Sequence, residues 1–207
     1  MSGGKFITFE GPEGGGKSTH IRLLADFLRA KGIALTLTRE PGGTPTGEAI
    51  RSLLQHDGAG ESPAHRTEVL LFLASRAQHV ERLIRPALNA GQWVLCDRFD
   101  DSTLAYQGYG RGFDLGELRA VNAFATGGLV PDLTVLLDIS PETSQTRLAG
   151  RTLDRIEREA SDFHVRLRRG FLELARQQPE RFVVVNAELE IDRVADEIRS
   201  EVVKRLM

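Results

Sequence analysis

Cysteine is almost absent from this chain of 207 residues, in which Cys96 is the only one. A single cysteine excludes an internal disulfide and a zinc site built from cysteines. Cys96 ends the apolar run 92–96, which favours a buried, unreactive thiol. The five histidines show no spacing typical of metal ligands. We therefore expect neither a disulfide-stabilised fold nor a structural zinc site.

Long hydrophobic runs and a strong excess of either charge are also missing. No apolar stretch has the length of a membrane span, and residues 1–6 lack the hydrophobic region of a signal peptide. The formal net charge is −2, whereas a protein that neutralises many nucleic-acid phosphates usually carries a basic excess. These absences predict a cytoplasmic protein that binds neither a membrane nor nucleic acid.

Apolar strands alternate with helical patterns along the whole chain. Strands are predicted at 6–9, 34–38, 93–97, 133–137 and 182–185. Helices are predicted at 17–30, 115–124, 141–148, 162–177 and 191–206, with the longest from Pro63 to about Leu88. This alternation predicts an α/β fold in one domain over 1–207, with a five-stranded parallel sheet and helices on both faces. Ligands of such sheets bind beyond the carboxyl ends of the strands.

A glycine-rich segment directly follows the first predicted strand. Residues 11–18 read Gly-Pro-Glu-Gly-Gly-Gly-Lys-Ser, which is the Walker A spacing between a strand and a helix. Glycines let backbone N–H groups turn toward phosphate oxygens, and the helix N-terminus favours an anion. We expect Lys17 to reach the β- and γ-phosphates of ATP and Ser18 to coordinate Mg²⁺. The predicted nucleotide-binding residues are Gly11, Pro12, Glu13, Gly14, Gly15, Gly16, Lys17, Ser18 and Thr19.

The end of the third predicted strand carries Asp97 followed by Arg98. Asp97 is a candidate metal ligand, and an arginine after it favours phosphoryl transfer to a small acceptor over activation of water. The chain also lacks the Asn-Lys-x-Asp motif of guanine recognition, which argues against a GTPase.

Five segments together resemble the thymidylate kinases, and the resemblance covers nearly the whole chain. They are Phe-Glu-Gly-x-Glu-Gly-x-Gly-Lys-Ser at 9–18, Thr-Arg-Glu-Pro-Gly-Gly-Thr at 38–44, Leu-Phe-x-Ala-x-Arg at 71–76, Asp-Arg-x-x-x-Ser-Thr-x-Ala-Tyr-Gln-Gly at 97–108 and Leu-Asp-Arg-Ile-Glu at 153–157. The resemblance implies a P-loop NTPase-type kinase that forms homodimers. It implies transfer of the γ-phosphate of Mg·ATP to thymidine monophosphate (dTMP), in dTTP biosynthesis.

The resemblance also implies an acceptor site. Phe72 would stack on thymine, Arg76 would hydrogen-bond its carbonyl edge, and Arg51 and Arg98 would hold the acceptor phosphate. The other expected residues are Glu13 near the sugar 3′-hydroxyl, Arg39 beside the pocket, Tyr106 against the 2′ position, Gln107 at the base, and Ser102 and Thr103 in the lining. From pattern alone, Phe72 would instead be a core residue and Arg76 a solvated helix charge.

Arg147, Arg151 and Arg155 recur at four-residue spacing. By spacing alone they would form a solvated segment balanced by nearby acids. The resemblance instead implies a lid at about 147–160 that closes over ATP. In this lid, Arg151 and Arg155 would supply positive charge during catalysis, and Arg147 would contact the nucleotide. The other expected catalytic residues are Lys17, Asp97 and Arg98.

Three alternatives stay open at the level of sequence. The acceptor could be another nucleotide such as dUMP, or a free deoxynucleoside. The chain could also be a nucleotide-binding protein without catalysis, or an ATPase that acts on nucleic acid, which the net charge disfavours. One departure concerns Tyr109, where related sequences often have glycine. Its ring could narrow the acceptor pocket or lie on the surface.

Overall fold

The computed structural model describes residues 3–55, 61–150 and 159–207. Five strands form one sheet: β1 (Phe6–Glu10), β2 (Leu35–Arg39), β3 (Trp93–Asp97), β4 (Leu133–Asp138) and β5 (Phe182–Asn186). Their order is β2-β3-β1-β4-β5, and every neighbouring pair is parallel. The predicted five-stranded parallel sheet is confirmed, and each strand lies within a residue or two of its predicted position.

Helices connect the strands and cover both faces of the sheet. They are α1 (Lys17–Ala30), α2 (Pro45–Gln55), α3 (His65–His79), α4 (Arg85–Asn89), α5 (Asp100–Thr103), α6 (Leu115–Thr126), α7 (Pro141–Leu148), α8 (Ser161–Gln177) and α9 (Ile191–Leu206). Two π-helical segments, Val80–Ile84 and Leu104–Gly110, continue α3 and α5. Within the described ranges, no helix combines the length and the apolar character that crossing a membrane requires.

The prediction of one regular helix from Pro63 to Leu88 is wrong in detail. The helix begins at His65, and the π-helical segment Val80–Ile84 separates α3 from α4. Pro86 explains the interruption, because proline lacks the N–H that a regular helix needs at that point. The N–H of Arg85 instead bonds to the Val80 carbonyl, five residues back, which is the π-helical pattern.

The sheet places β1 at the centre of the core. All five of its residues are buried, and so are Val94, Leu95 and Cys96 of the neighbouring β3. One face packs against α1 and α9, while α3, α6 and α8 belong to clusters on the other. Burial raises the pKa of the Cys96 thiol well above its usual value, in agreement with the expected unreactive cysteine.

Tyr109 packs against helix α8, which explains how a bulky ring is accommodated there. Tyr109 joins the hydrophobic cluster that contains Phe163 and Phe171 of α8. It lies directly over Gly170, where an added Cβ would come within 2.5 Å of the Tyr109 Cβ. Two carbon atoms cannot approach so closely, so Tyr109 and Gly170 depend on each other. The ring belongs to the packing between α8 and the second π-helical segment.

We expect Gly170→Ala to destabilise the protein by about 1–3 kcal/mol, because the methyl group forces the two elements apart. This loss outweighs the gain of roughly 1 kcal/mol that alanine brings to a helix. Urea unfolding of the single and double variants measures it. In a Tyr109→Gly background the clash is absent, so Gly170→Ala should then be neutral or stabilising. An equal loss in both backgrounds would contradict the proposed contact.

Candidate active site

The loop after β1 has the conformation that its glycines predict. Gly11 has φ 128°, and a side chain there would meet the Leu137 carbonyl oxygen at 2.4 Å. Gly16 has φ 82° and immediately precedes the first residue of α1, Lys17. The loop therefore wraps closely around the N-terminus of α1, where unpaired N–H groups and the helix dipole favour a phosphate.

Lys17 is buried beneath this loop. Its ammonium group donates to the carbonyl oxygens of Gly11 and Pro12 at 3.1 and 3.0 Å, and it lies 3.6 Å from a Glu13 carboxylate oxygen. Burial and the positive charge of Arg98 lower the pKa of Lys17. Lys17 is thus held inside the loop by backbone carbonyls, in reach of the anion site that the loop forms.

A single cavity of about 870 Å³ joins this loop to the carboxyl ends of β2 and β3. Most of the predicted site residues line it: Glu13, Gly14, Gly16, Lys17, Ser18, Thr19, Arg39, Arg51, Phe72, Arg76, Asp97, Arg98, Ser102, Thr103, Tyr106, Gln107 and Arg147. Gly11, Pro12 and Gly15 belong to the loop but not to the lining, and Tyr109 lies outside the lining as well. Arg151 and Arg155 lie outside the described residues.

Arg98 is a cation of the cavity that is fixed by both its backbone and its side-chain contacts. It is the one non-glycine residue in the described part of the chain with positive φ, at 70°. Its guanidinium contacts the Glu13 carboxylate, donates to Tyr106 Oη at 2.9 Å and to Ser102 Oγ at 3.1 Å. Burial alone would raise the pKa of Glu13, but Arg98 and Lys17 outweigh burial and hold it well below its usual range.

Ser18 and Asp97 place two oxygen ligands side by side. The Ser18 hydroxyl donates to Asp97 Oδ2 at 3.2 Å, and both residues line the cavity. Across the described ranges, no cluster of three or more histidine, cysteine or acidic side chains could hold a metal ion on its own. Magnesium usually takes only one or two protein oxygens and completes its shell with phosphates and water, so this pair fits it.

Arg76 is almost completely buried, which the sequence pattern did not predict. Only 2% of it is exposed. It donates to Glu40 Oε2 at 2.8 Å, Thr103 Oγ1 at 2.8 Å, the Phe99 carbonyl at 2.9 Å and Asn122 Oδ1 at 2.6 Å. These contacts use four of its five N–H groups, so one Nη2 hydrogen is left for the cavity. The interpretation of Arg76 as a solvated charge is therefore wrong.

Phe72, Arg39 and Arg51 also line the cavity. Phe72 lies one helical turn before Arg76 and is half-buried in the lining, not enclosed in the core as its apolar surroundings suggested. Arg39 pairs with Glu48 at 2.9 Å, and Arg51 donates to the Pro41 carbonyl at 3.0 Å. The lining therefore includes an aromatic ring and two further cations besides Arg98.

Glu10 is a site residue that sequence reasoning missed. It is completely buried and accepts hydrogen bonds from the Phe99 N–H at 2.7 Å and from Ser102 Oγ at 2.6 Å. Burial and the nearby Asp101 carboxylate raise the pKa of Glu10 to about 8. By binding both sides of the turn after Arg98, Glu10 supports the unusual backbone there. An acid at the end of the mainly apolar strand β1 was the available signal.

A second buried network supports the helix after that turn. Arg181, directly before β5, donates to both carboxylate oxygens of Asp101 at 2.7 and 2.9 Å and to Thr134 at 2.6 Å. Both members of this ion pair are buried. The ion pair connects α5, which carries two lining residues, to the start of β5 at the edge of the sheet. No spacing in the sequence relates residues 101 and 181.

The fold and the cavity define a class of protein. A parallel sheet with a phosphate loop after its first strand is the P-loop NTPase arrangement. A second, arginine-lined half of the same cavity provides room for a phosphorylated acceptor beside the loop. The class is therefore that of the P-loop kinases.

Comparison with known proteins identifies the family. The sequence model of the family described as "Thymidylate kinase" matches residues 9–198. The chain is 53% identical over 197 residues to the thymidylate kinase of Carboxydothermus hydrogenoformans, covering 95% of each chain. It is 49% identical over 205 residues to that of an Exiguobacterium species, covering 98% of this chain and 96% of the relative. The chain belongs to the thymidylate kinase family.

Proposed function

We propose that the protein phosphorylates dTMP to dTDP with ATP as phosphoryl donor, a step toward dTTP. The observation that carries this proposal is the continuous cavity between the phosphate loop and the Phe72–Arg76 wall. Its lining combines the phosphate loop, several cations and an aromatic ring. Family membership supports the same acceptor, since the relatives compared above are named thymidylate kinases.

The phosphate loop would bind the triphosphate of ATP. The backbone N–H groups of 11–18 and the N-terminus of α1 receive the phosphate oxygens, and Lys17 neutralises charge on the β- and γ-phosphates. Lys17 is already within 3.1 Å of the Gly11 carbonyl. A bound phosphate would therefore replace backbone carbonyls as its partner without a large movement of the side chain.

Arg98 and Arg51 would hold the acceptor phosphate for an in-line transfer. An oxygen of the dTMP phosphate attacks the γ-phosphorus, the bond to the β-γ bridging oxygen breaks, and ADP leaves. Two anions must approach each other in this step, so fixed cations between them are the main catalytic requirement. The acceptor is already ionised at neutral pH, so neither a strong general base nor a covalent enzyme intermediate is needed.

The base and sugar would occupy the other end of the cavity. Phe72 offers a face for stacking on thymine, and Arg76 and Gln107 offer polar groups to its edge. Tyr106, oriented by its hydrogen bond with Arg98, would lie against the 2′ position and favour deoxyribose. Glu13 would accept from the 3′-hydroxyl, with Arg39, Ser102 and Thr103 completing the lining.

Ser18 and Asp97 would hold Mg²⁺ together with the phosphates of ATP. The ion neutralises charge on the β- and γ-phosphates when it is bound. Asp97 also lies directly before Arg98. The metal ion and the Arg98 guanidinium would therefore lie at the same strand end. Among the described residues, we therefore assign two oxygen ligands to the metal.

Arg147 would contact the nucleotide from the side of α7. It is exposed, lines the cavity and donates to the Gly14 carbonyl at 3.1 Å. The predicted lid at about 147–160 includes Arg151 and Arg155, and we propose that these supply further positive charge during transfer. The phosphate loop carries no arginine of its own, which leaves that role to another segment.

The whole chain, 1–207, would act as one kinase domain and form a homodimer. Phosphate loop and acceptor residues follow strands of the same sheet, which supports the first proposal. The second is supported by Leu70 on α3 and Phe124 on α6, which are 63% and 90% exposed on helices that pack together. Sedimentation at twice the chain mass of 22.8 kDa would support the dimer. The cytoplasmic location stays a prediction.

The decisive experiment is an ADP-release assay with Mg·ATP and dTMP, dUMP, dCMP, dGMP, AMP or thymidine as acceptor. We expect strong turnover with dTMP and weak turnover with thymidine, which lacks the phosphate that Arg98 and Arg51 bind. Preference for another monophosphate would keep the kinase class and refute the thymine pocket. Folded protein without acceptor-dependent turnover would refute the kinase and leave a nucleotide-binding protein.

A further inference from the structure

Gln107 lines the cavity and is only 2% exposed, so its amide group is almost completely enclosed by protein. Its Nε2 donates to Glu68 Oε1 at 3.1 Å. Glu68 is fully buried in α3 and lies outside the cavity lining. Among the described residues, no partner contacts the other amide atom, Gln107 Oε1. The two ends of this amide therefore face different environments.

Arg111 is the ion-pair partner of Glu68. Its Nη1 donates to the same Glu68 oxygen at 2.7 Å, and the guanidinium also contacts Glu159 at 3.0 Å and His65 Nδ1 at 2.7 Å. An arginine is always charged in a protein and only donates hydrogen bonds, so its partner in this buried ion pair is the Glu68 carboxylate. A carboxylate only accepts hydrogen bonds. The NH₂ group of Gln107 must then face Glu68, and its carbonyl oxygen must face away.

We propose that Glu68, held by Arg111, is a positioning residue that turns the Gln107 carbonyl oxygen toward the base and so selects an imide-bearing pyrimidine over cytosine. The inference rests on the proposed function and deepens it. Glu68 itself touches no substrate. It acts by removing the alternative orientation of the Gln107 amide, in which the NH₂ group would face the base.

The chemistry of the two pyrimidines explains the selection. Thymine and uracil present an N3–H donor next to carbonyl acceptors. Cytosine presents an N3 acceptor and an amino donor. An acceptor at Gln107 and the unused N–H of Arg76 therefore complement thymine. Against cytosine they oppose acceptor to acceptor and donor to donor, and buried polar mismatches of this kind produce strong discrimination. The arrangement does not distinguish thymine from uracil.

The test is Glu68→Gln, which keeps the shape of the side chain but can donate as well as accept. The Gln107 amide is then free to turn. We expect the KM for dTMP to rise about 10-fold and the preference in kcat/KM for dTMP over dCMP to fall about 10-fold. The KM for ATP and the kcat with saturating dTMP should change less than about 3-fold. Glu197→Gln, an exposed change on α9, is the matched control and should change nothing.

A double-mutant cycle separates positioning from a merely structural role. Gln107→Leu removes the amide, so Glu68→Gln should have no further effect on dTMP selectivity in that background. A loss that persists without Gln107 would overturn the proposal. If the wild-type protein does not use dTMP, the proposed function is refuted. If the wild type prefers dTMP and the Glu68→Gln variant keeps the same preference, only this inference is refuted.

A second variant covers the case in which Glu68→Gln fails to fold. Glu68→Asp keeps an acceptor-only carboxylate and the charge that Arg111 requires. It should raise the KM for dTMP but retain the preference for dTMP over dCMP within about 3-fold. Loss of that preference in Glu68→Asp would overturn the proposal, because the carboxylate would then not be the group that orients Gln107.

Discussion

Arg98→Ala is expected to lower turnover of dTMP by at least about 10³-fold, because it removes the cation between two anionic nucleotides. The same guanidinium organises Glu13, Ser102 and Tyr106. Its loss therefore also releases the groups around the acceptor. Arg98→Lys keeps the charge but not the planar fork, and we expect it to recover only part of the rate. Single-turnover measurements at saturating dTMP check both variants.

Arg29 offers a matched control variant elsewhere in the chain. Arg29 lies on α1 and pairs only weakly with Asp26 at the surface, at 3.3 Å with both side chains more than half exposed. Arg29→Ala should leave turnover within about 2-fold of wild type. The φ of 70° at position 98 costs alanine and arginine about the same, so the fold should survive. Turnover of Arg98→Ala within about 10-fold of wild type would contradict the assignment.

Arg76→Met is expected to destabilise the protein by about 3–5 kcal/mol, because it leaves the Glu40 carboxylate buried without its cation. Glu40 and Arg76 are 3% and 2% exposed, and His79 is the other partner of Glu40, at 3.1 Å. For a chain of this size the loss corresponds to a fall in the unfolding temperature of about 10 °C. Thermal unfolding followed by circular dichroism measures it.

Two further variants show whether charge is the cause. Adding Glu40→Gln to Arg76→Met removes the unpaired buried carboxylate and should recover a large part of the lost stability. The reason is that replacing both members of a buried ion pair by uncharged residues is often nearly neutral. Arg39→Met is the surface control. Its pair with Glu48 is about half exposed, so the change should stay within about 1 kcal/mol. Equal losses for Arg76→Met and Arg39→Met would contradict the argument from burial.

Local sequence patterns predicted the sheet and the phosphate loop because both depend on neighbouring residues. A parallel strand buried on both faces, such as β1, must be apolar nearly throughout. The loop requires glycine where φ is positive, as at Gly11 and Gly16. The π-helical segment at Val80–Ile84 was missed because it depends on how one helix accommodates Pro86 while remaining packed. Hydrophobic periodicity does not register such an insertion.

The acceptor half of the cavity was predicted from family motifs, not from pattern. Phe72 and Arg76 share a helix face by spacing alone. Nothing local indicates that Glu40 and Asn122, distant by 36 and 46 residues, surround Arg76. The same holds for Gln107 and Glu68, which are 39 residues apart. Tyr109 was left open by the sequence and is explained only by its contact with Gly170.

The sequence by itself determined the fold class, the phosphate loop and the strand ends that carry the proposed acceptor residues. These follow from backbone sterics and from the burial of apolar runs, which act over a few residues. Tertiary structure alone decided which buried polar groups meet: Glu10 with the turn after Arg98, Glu40 with Arg76, and Glu68 with Arg111. A charge removed from water must find its partner in space, wherever that partner lies along the chain.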